Sequence, residues 1–583
     1  MPATPTARPH DTRFVDVDSR AREPDAGARV GGRAWIDLAI VLAAYVLLLL
    51  ITRTSDQGDS NIYADDLVLW LRGLTTGTKW EFGHAYWRPL HYALFRLYQD
   101  GDGVTDGVLF SQAIRQITTV VMLFGALAVV TFRSWLGRVC SSRTASTAAS
   151  VAFAAAAAFI GYAQTASSYI PALAMLLIGL RELAADEEQR DMVTIVVASF
   201  AFAFAVLLWF PMVLAVPGAA ISMLLLRGND ARRRRIAIAV CLLSGAITVI
   251  GYVPIAYLAQ VHSVADFRTW MGKATHDIRG IGGLSRAVIG FGRSLVNMDR
   301  LGLVAKRHLI GDVYNPASWG DVARAGLLRL GVLYVLLGTM TLWLARRASG
   351  RRVLAFVVAT AIPVVGFALK WQGGDLERYL ALFPALFLAV AAFIATLPAR
   401  AQLASGIGVA LLFTAVNVPA IARSKSEREC AVLTARLESV PRIGGDVAVL
   451  LTPHELDEIA TFKGRCPHSP LLGSVNPPQA FGLVMANNEK ASEWRAGLAK
   501  RSGEVWQQGG HVWISRRAFV EKPPATWRWA EGDDPRLHWR DFPSYFKQLD
   551  VGPPMGGEDG WMEVLPTLRT REAMERLRRM PPG

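Results

Sequence analysis

Residues 34–51 read AWIDLAIVLAAYVLLLLI, eighteen positions with one charged side chain, Asp37. A helix of that length and composition crosses a hydrocarbon core of ~30 Å. The pattern recurs along the chain. Of its 583 residues, 52% are hydrophobic and 19% charged, and mean hydropathy is +0.29. A soluble chain carries about a quarter charged residues. Further apolar runs lie near 108–132, 144–162, 168–180, 236–259, 324–344, 353–369, 378–397 and 403–421. Two more fill 192–226, turning at Trp209-Phe210-Pro211, where proline interrupts the helix. The fold class predicted is a polytopic α-helical membrane protein with about eleven transmembrane helices, followed by a soluble α/β domain.

Three regions follow. Residues 1–33 are rich in Arg, Pro and Asp and read as a disordered cytoplasmic tail; so long a polar start is not a cleavable signal. Residues 34–421 form the transmembrane domain, with long polar loops at 52–107 and 260–321. Residues 422–583 have ordinary soluble composition.

Short basic loops fix the orientation. The Arg-rich tail, the Arg133–Arg143 loop, Arg232–Arg235 and Arg346–Arg352 fall on one side, and the charge-free Gln164–Ser168 link falls on the other. The positive-inside rule then predicts a bacterial-type inner membrane protein. Its amino terminus is cytoplasmic, and both long loops and the carboxy-terminal domain are extracytoplasmic. These flanking arginines also account for much of the net charge of +14, so no nucleic-acid partner is expected.

The first outward loop contains SNIYADDLVLW and, further on, HAYWRPLHY. Leu67, Leu69, Trp70, Leu71 and Leu74 suggest an amphipathic helix at the membrane surface. A carboxylate near the interface, Asp65 or Asp66, can take the proton of an attacking hydroxyl. The competing reading is a solvated pair capping a surface helix. Trp87-Arg88-Pro89-Leu90, flanked by His84 and His91, opens a second helix with proline in its first turn. The second outward loop carries Arg268, Lys273, Arg279, Arg286, Arg293, Arg300, Lys306 and Arg307, which suit either a substrate phosphate or anionic lipid headgroups. Glycines at 280, 282, 283, 290 and 292 suggest a mobile or re-entrant stretch. The third feature is KWQGGDLERY, with Lys370, Glu377, Arg378 and Tyr379 at a helix mouth. Such charges either snorkel to the interface or face a polar cavity.

These features together resemble the GT-C superfamily of integral-membrane glycosyltransferases, over about residues 34–421. The resemblance rests on Tyr63-Ala64-Asp65-Asp66 in the first loop, Trp87-Arg88-Pro89-Leu90, the late Glu377-Arg378-Tyr379-Leu380 before a proline-containing span, and the outward soluble domain. It implies a polyprenyl-phosphate-linked sugar donor and a glycan, lipid or protein acceptor in the cell envelope. It implies Asp65 or Asp66 as the catalytic base or as ligand to a divalent cation, with no other cofactor. Arg88 and Arg378 would meet the donor phosphate, and His84 or His91 the sugar or acceptor. A WWD-type motif is not seen, which argues against peptide N-glycosylation, and the span count falls short of the thirteen of several relatives. The competing functions are a polymerase or ligase with a lipid-diphosphate donor, and a lipid or solute transporter. A transporter predicts internal repeats and ionisable residues near mid-membrane, neither of which stands out.

In the carboxy-terminal region, Asp446–Thr452 reads as a buried strand, and Glu504-Val-Trp-Gln and His511-Val-Trp-Ile-Ser as a hairpin around Gln508-Gly-Gly. Trp527, Trp529, Trp539 and Trp561 are core or sugar-stacking candidates. The four cysteines include no CxxC pair, which argues against structural zinc, and Cys430 with Cys466 is a candidate disulfide.

Overall fold

The computed structural model describes residues 30–52, 60–73, 79–100, 104, 106–185, 190–273, 283–298, 301, 304–305, 308, 317–421, 447–451, 480–482, 499–500, 502–507, 509–519, 546–555 and 560–579. Along the chain, α1 (Val30–Ile51) leads to two short helices, α2 (Ser60–Leu71) and α3 (Trp87–Arg96). The bundle continues with α4 (Asp106–Val139), α5 (Arg143–Ala155), α6 (Ala157–Tyr162), α7 (Tyr169–Leu183) and α8 (Asp191–Leu208). A 3-10 turn, Phe210–Leu214, precedes α9 (Val216–Arg227) and α10 (Ala231–Leu258). The second long loop holds α11 (Val264–Lys273) and α12 (Leu284–Leu295). Then come α13 (Leu328–Ala345), α14 (Ala348–Lys370), a 3-10 segment Leu376–Leu382 running into α15 (Phe383–Ala395), and α16 (Ala399–Ile421).

Among the described residues, eight helices are long and apolar enough to cross a membrane. The other three predicted spans are also helical: α1, with Trp35–Ile51 as its apolar part, the broken pair α5–α6, and α7. The protein is a multi-pass membrane protein. Its core is built around α7 and α15, whose Ile170, Leu173, Leu177, Phe383, Phe387 and Ile394 are wholly or almost wholly buried. Outer helices turn apolar side chains away from that core, including Leu242, Val249 and Ile250 on α10 and Leu403, Ile407 and Leu411 on α16. Such surfaces are costly in water and match a lipid environment.

The break between α5 and α6 falls at Ala156, which is extended (φ −63°, ψ 139°) within an unbroken run of alanines. Asn417 of α16 holds it. The Asn417 amide donates to the carbonyls of Ala155 (2.7 Å) and Leu295 (2.9 Å), and its oxygen accepts from Asn297 N (2.7 Å). One fully buried side chain therefore ties α16 to the helix break and to the end of α12.

At one end of the bundle, arginines satisfy helix C-termini and a buried carboxylate. Arg138 donates to Arg181 O (2.8 Å), and Arg227 donates to Arg138 O (3.0 Å) and Ala184 O (2.7 Å). These cations sit where terminal carbonyls and the helix dipole favour positive charge. Asp37 pairs with both Arg133 and Arg143 at 2.5 Å. The described parts of the two long loops, residues 60–73, 79–100, 260–273 and 283–298, lie at the other end.

Two local expectations are corrected. Gly290 and Gly292 are buried within α12. A Cβ on Gly290 would lie 2.0 Å from Gly373 O, so this glycine permits close backbone packing rather than mobility. The hairpin is also absent: residues 502–507 are helical, and β3 (His511–Ser515) pairs elsewhere. The described strands β1 (Val447–Leu451), β2 (Ala480–Gly482), β3 and β4 (Trp561–Glu563) form one sheet in the order β2-β1-β3-β4. β1 is parallel to both β2 and β3, and β4 is antiparallel to β3. The predicted strand at 446–452 is thus β1, and helix α17 (Leu568–Arg579) follows the sheet. Trp561 is buried. Cys430, Cys466, Trp527, Trp529 and Trp539 lie outside the described residues.

Candidate active site

The segment 80–87 is fastened to the bundle by hydrogen bonds from side chains and backbone. Trp80 O accepts from Trp270 Nε1 (2.8 Å), Phe82 O from Tyr252 OH (2.9 Å), and Gly83 O from Phe210 N (3.0 Å). Tyr86 OH donates to Gly251 O (2.8 Å), and Trp87 Nε1 to Ala166 O (2.7 Å). The Phe82 ring packs among Phe210, Tyr252, Phe267 and Trp270, with centroids 4.6 to 5.8 Å away. This anchoring places Arg88 in the first turn of α3.

Arg88 bridges two carboxylates. Its Nη1 lies 2.9 Å from Asp66 Oδ2 on α2, and its Nη2 lies 2.8 Å from Glu81 Oε2. The guanidinium stacks over the Tyr63 ring, 4.8 Å from its centroid. Tyr63 and Asp66 are three residues apart on α2, so both point to one face. Asp65 occupies the adjacent position of the same helix; its side chain is not among those described. Asp66 and Glu81 hold a guanidinium between them, and as placed they do not fit a divalent cation. Among the described residues, no group of three or more His, Cys, Asp or Glu is placed to hold a metal.

A second polar centre lies at the mouth of the 376–395 span. Glu377, buried, accepts from Tyr162 OH (2.5 Å) and lies 3.8 Å from Arg378 Nε. Arg378 donates through Nη2 to Gln372 Oε1 (2.5 Å). Gln372 adopts φ +46°, a left-handed conformation that costs free energy for a residue with a Cβ. Tyr379 is wholly buried, its hydroxyl 2.9 Å from Ala287 O and 2.7 Å from Gly373 O, so it fastens the segment to α12. Lys370 is exposed at the end of α14.

Ring contacts join the two centres. Tyr63 meets His84 (6.0 Å), His84 meets Tyr169 (5.6 Å), and Tyr169 meets Tyr162 (5.0 Å), the partner of Glu377. His84 also fixes the loop: its Nδ1 is 2.7 Å from Ser168 Oγ, which donates to Leu208 O (2.7 Å). With that hydroxyl donating onward, Nδ1 carries the proton in this arrangement. His91 is buried against Trp87, ring centroids 4.2 Å apart, with Nδ1 3.3 Å from Gln116 Nε2. Its buried Nε2 finds no partner, and burial pushes its pKa down to about 3, which keeps the ring neutral.

The structure therefore brings Asp66, Arg88 and His84 into one neighbourhood and Glu377 with Arg378 into a second, joined by aromatic rings. The sequence did not single out Glu81, Tyr162, Tyr169 or Gln372. Lys79 was also passed over; its ammonium lies 3.8 Å from the Tyr92 centroid and 5.5 Å from that of Trp70. Of the basic residues in the second loop, Arg268 is exposed and Arg286 and Arg293 are half-buried. The side chains of Lys273, Arg279, Arg300, Lys306 and Arg307 lie outside the description.

No protein-family model matches the chain, and no curated protein matches it in sequence. Solved structures do match. The apo structure of ArnT from Cupriavidus metallidurans aligns with TM-score 0.50 and 12% identity, over 94% of this chain and 99% of that one. ArnT bound to undecaprenyl phosphate gives 0.49 and 13%, over 92% and 98%. The S. cerevisiae protein O-mannosyltransferase Pmt1–Pmt2 complex bound to the sugar donor gives 0.30 and 11%, over 46% and 37%. At these identities the likeness is one of fold. The chain shares the fold of ArnT.

Proposed function

We propose that this protein transfers a sugar from a polyprenyl-phosphate donor to an acceptor hydroxyl at the loop-bearing end of the bundle. The observation that carries the reading is the Asp66–Arg88–Glu81 bridge, anchored at that end and joined by aromatic rings to the Glu377–Arg378 centre. Paired cations and carboxylates at an interface suit a donor that is lipid at one end and sugar phosphate at the other. ArnT, which has this fold, has been crystallised with undecaprenyl phosphate, the donor class carried over here.

The reaction is a single displacement. The acceptor oxygen forms a bond to the anomeric carbon from the face opposite the lipid phosphate. The bond from that carbon to the phosphate oxygen breaks with its electron pair, and the acceptor's proton passes to Asp65 or Asp66. Arg88 and Arg378 stabilise charge growing on the departing phosphate. One displacement inverts the anomeric configuration. Arginines in the short loops at the far end support a cytoplasmic side there, and with it transfer on the outer side of a bacterial-type cell envelope to a glycan, lipid or protein acceptor.

The test is Asp65→Asn and Asp66→Asn, made separately and scored in cells for a surface glycan modification. Loss in either variant with normal protein level is the expected result. Full modification in both removes the base from this mechanism.

A further inference from the structure

Gln372 has a φ of +46°, in the left-handed region where a side chain is disfavoured and glycine is not. Glycines stand next to it at 373 and 374, yet the strained position holds glutamine. The turn around it is closed by other groups. Asp375 N donates to Gln372 O (3.0 Å), and Trp371 N donates to Phe367 O (2.8 Å). Gly373 is wedged between the end of α14 and α12, since a Cβ there would lie 2.6 Å from Ala368 O and 3.1 Å from Ala287 Cα. The Tyr379 hydroxyl, 2.7 Å from Gly373 O, fastens the same turn. None of these contacts uses the glutamine side chain.

That side chain reaches Arg378 instead. Its Oε1 accepts from Arg378 Nη2 (2.5 Å). The guanidinium also lies 5.9 Å from the Phe367 ring centroid, and the side chain keeps 15% of its surface exposed, so an incoming group can meet it. The adjacent carboxylate does not close it off. Glu377 Oε1 stays 3.8 Å from Arg378 Nε, beyond hydrogen-bond distance, while Glu377 Oε2 accepts from Tyr162 OH (2.5 Å). Arg378 is therefore aimed by a neutral amide. An amide oxygen orients a guanidinium and leaves its charge for an anion, whereas a carboxylate in that place would compete with the anion.

We propose that Gln372 is a positioning residue, which aims the Arg378 guanidinium at the phosphate of the lipid donor through a neutral hydrogen bond. Gln372 acts in this way only if Arg378 meets the donor phosphate, as proposed for the transfer reaction. A guanidinium already set in place needs no reorganisation when the phosphate arrives. The left-handed backbone at 372 is the strain that this aim requires.

The test titrates the full chain in detergent micelles with a polyprenyl phosphate and with the matching polyprenol. Bound adducts are counted in native mass spectra, and Tm is read alongside. The parent is expected to hold the phosphate form more tightly than the alcohol, and Arg378→Gln to lose that preference. Gln372→Glu keeps the length and the acceptor, so Tm should not fall. Its half-saturation for the phosphate should nevertheless rise roughly tenfold or more, with that for the alcohol unchanged. Gln372→Gly removes the acceptor and relieves the left-handed strain. It should raise half-saturation for the phosphate roughly threefold to tenfold, with Tm unchanged or higher. A purely structural Gln372 would instead lower Tm on substitution and leave the phosphate preference intact, and that result overturns the proposal. So does a Gln372→Glu variant that titrates like the parent while Arg378→Gln has lost the preference. A parent with no preference for the phosphate, or an Arg378→Gln variant that keeps it, removes Arg378 from the donor site and the proposal with it.

Discussion

Replacing Arg88 with glutamine tests whether one guanidinium organises the loop-bearing end. Its side chain is 13% exposed, and the carboxylates of Asp66 and Glu81 that it bridges are 21% and 13% exposed. Removing one partner of a buried pair costs about 3–5 kcal/mol, because the remaining charge is left desolvated. Partial exposure reduces that figure here, and about 2–3 kcal/mol is expected, in the range of hydrogen bonds to charged groups. Glutamine keeps part of the volume over Tyr63 but carries no charge. The unfolding midpoint in nanodiscs, at a fixed scan rate, should therefore fall clearly. Adding Glu81→Gln removes one stranded carboxylate and should restore part of the loss, a coupling of about 1–2 kcal/mol. Transfer activity gives the second readout. If Arg88 also meets the donor phosphate, activity stays low in the double variant even where stability returns. A single variant that loses less than about 1 kcal/mol would refute the bridge, since exposed pairs typically contribute no more than that.

Burial lowers the His91 pKa to about 3, while the unfolded chain titrates near its usual ~6.5. The unfolded state thus takes up the proton first. Stability is whole above about pH 6.5 and falls as pH drops toward about 3, by on the order of 2 kcal/mol at about pH 5. His91→Phe should flatten that acid limb, and an unchanged limb in the variant would assign it to other groups. Tyr162→Phe deletes the hydroxyl that donates to buried Glu377 and should cost about 1.5–3 kcal/mol, read as a lower unfolding midpoint, with transfer falling as well. Asn417→Leu leaves the Ala155 and Leu295 carbonyls and the Asn297 amide without their partner, at about 1–3 kcal/mol per stranded group. Hydrogen exchange should rise first at the α5–α6 break and the end of α12; a uniform rise would deny the local tie.

What could be read in the sequence was whatever depends on local composition. Apolar length marked the helices, and arginine placement marked the end where Arg138 and Arg227 bond terminal carbonyls. Asp66 and Arg88 were singled out from motifs, although their pairing was not. Contacts made across the fold left no local trace. Tyr162 and Glu377 are 215 positions apart, and Asn417 supports a helix break 262 positions away. That break falls in an alanine run, where no proline or glycine signals it. The hairpin reading failed for a related reason. Gln508-Gly-Gly is a sound local turn signal, but β3 finds its parallel partner in β1, and pairing of that kind is set by tertiary packing. Gly290 reads in the sequence as part of a mobile or re-entrant stretch, because a sequence does not show which backbone approaches a missing Cβ.

The central claim is transfer from a polyprenyl-phosphate sugar with a first-loop aspartate as base. The most direct measurement reconstitutes the purified full chain with a synthetic polyprenyl-phosphate sugar and follows release of polyprenyl phosphate by mass spectrometry. The account predicts time-dependent release, a product of inverted anomeric configuration, and loss of both in either the Asp65→Asn or the Asp66→Asn variant. Release that persists undiminished in both variants, or turnover only of a diphosphate-linked donor, would contradict it.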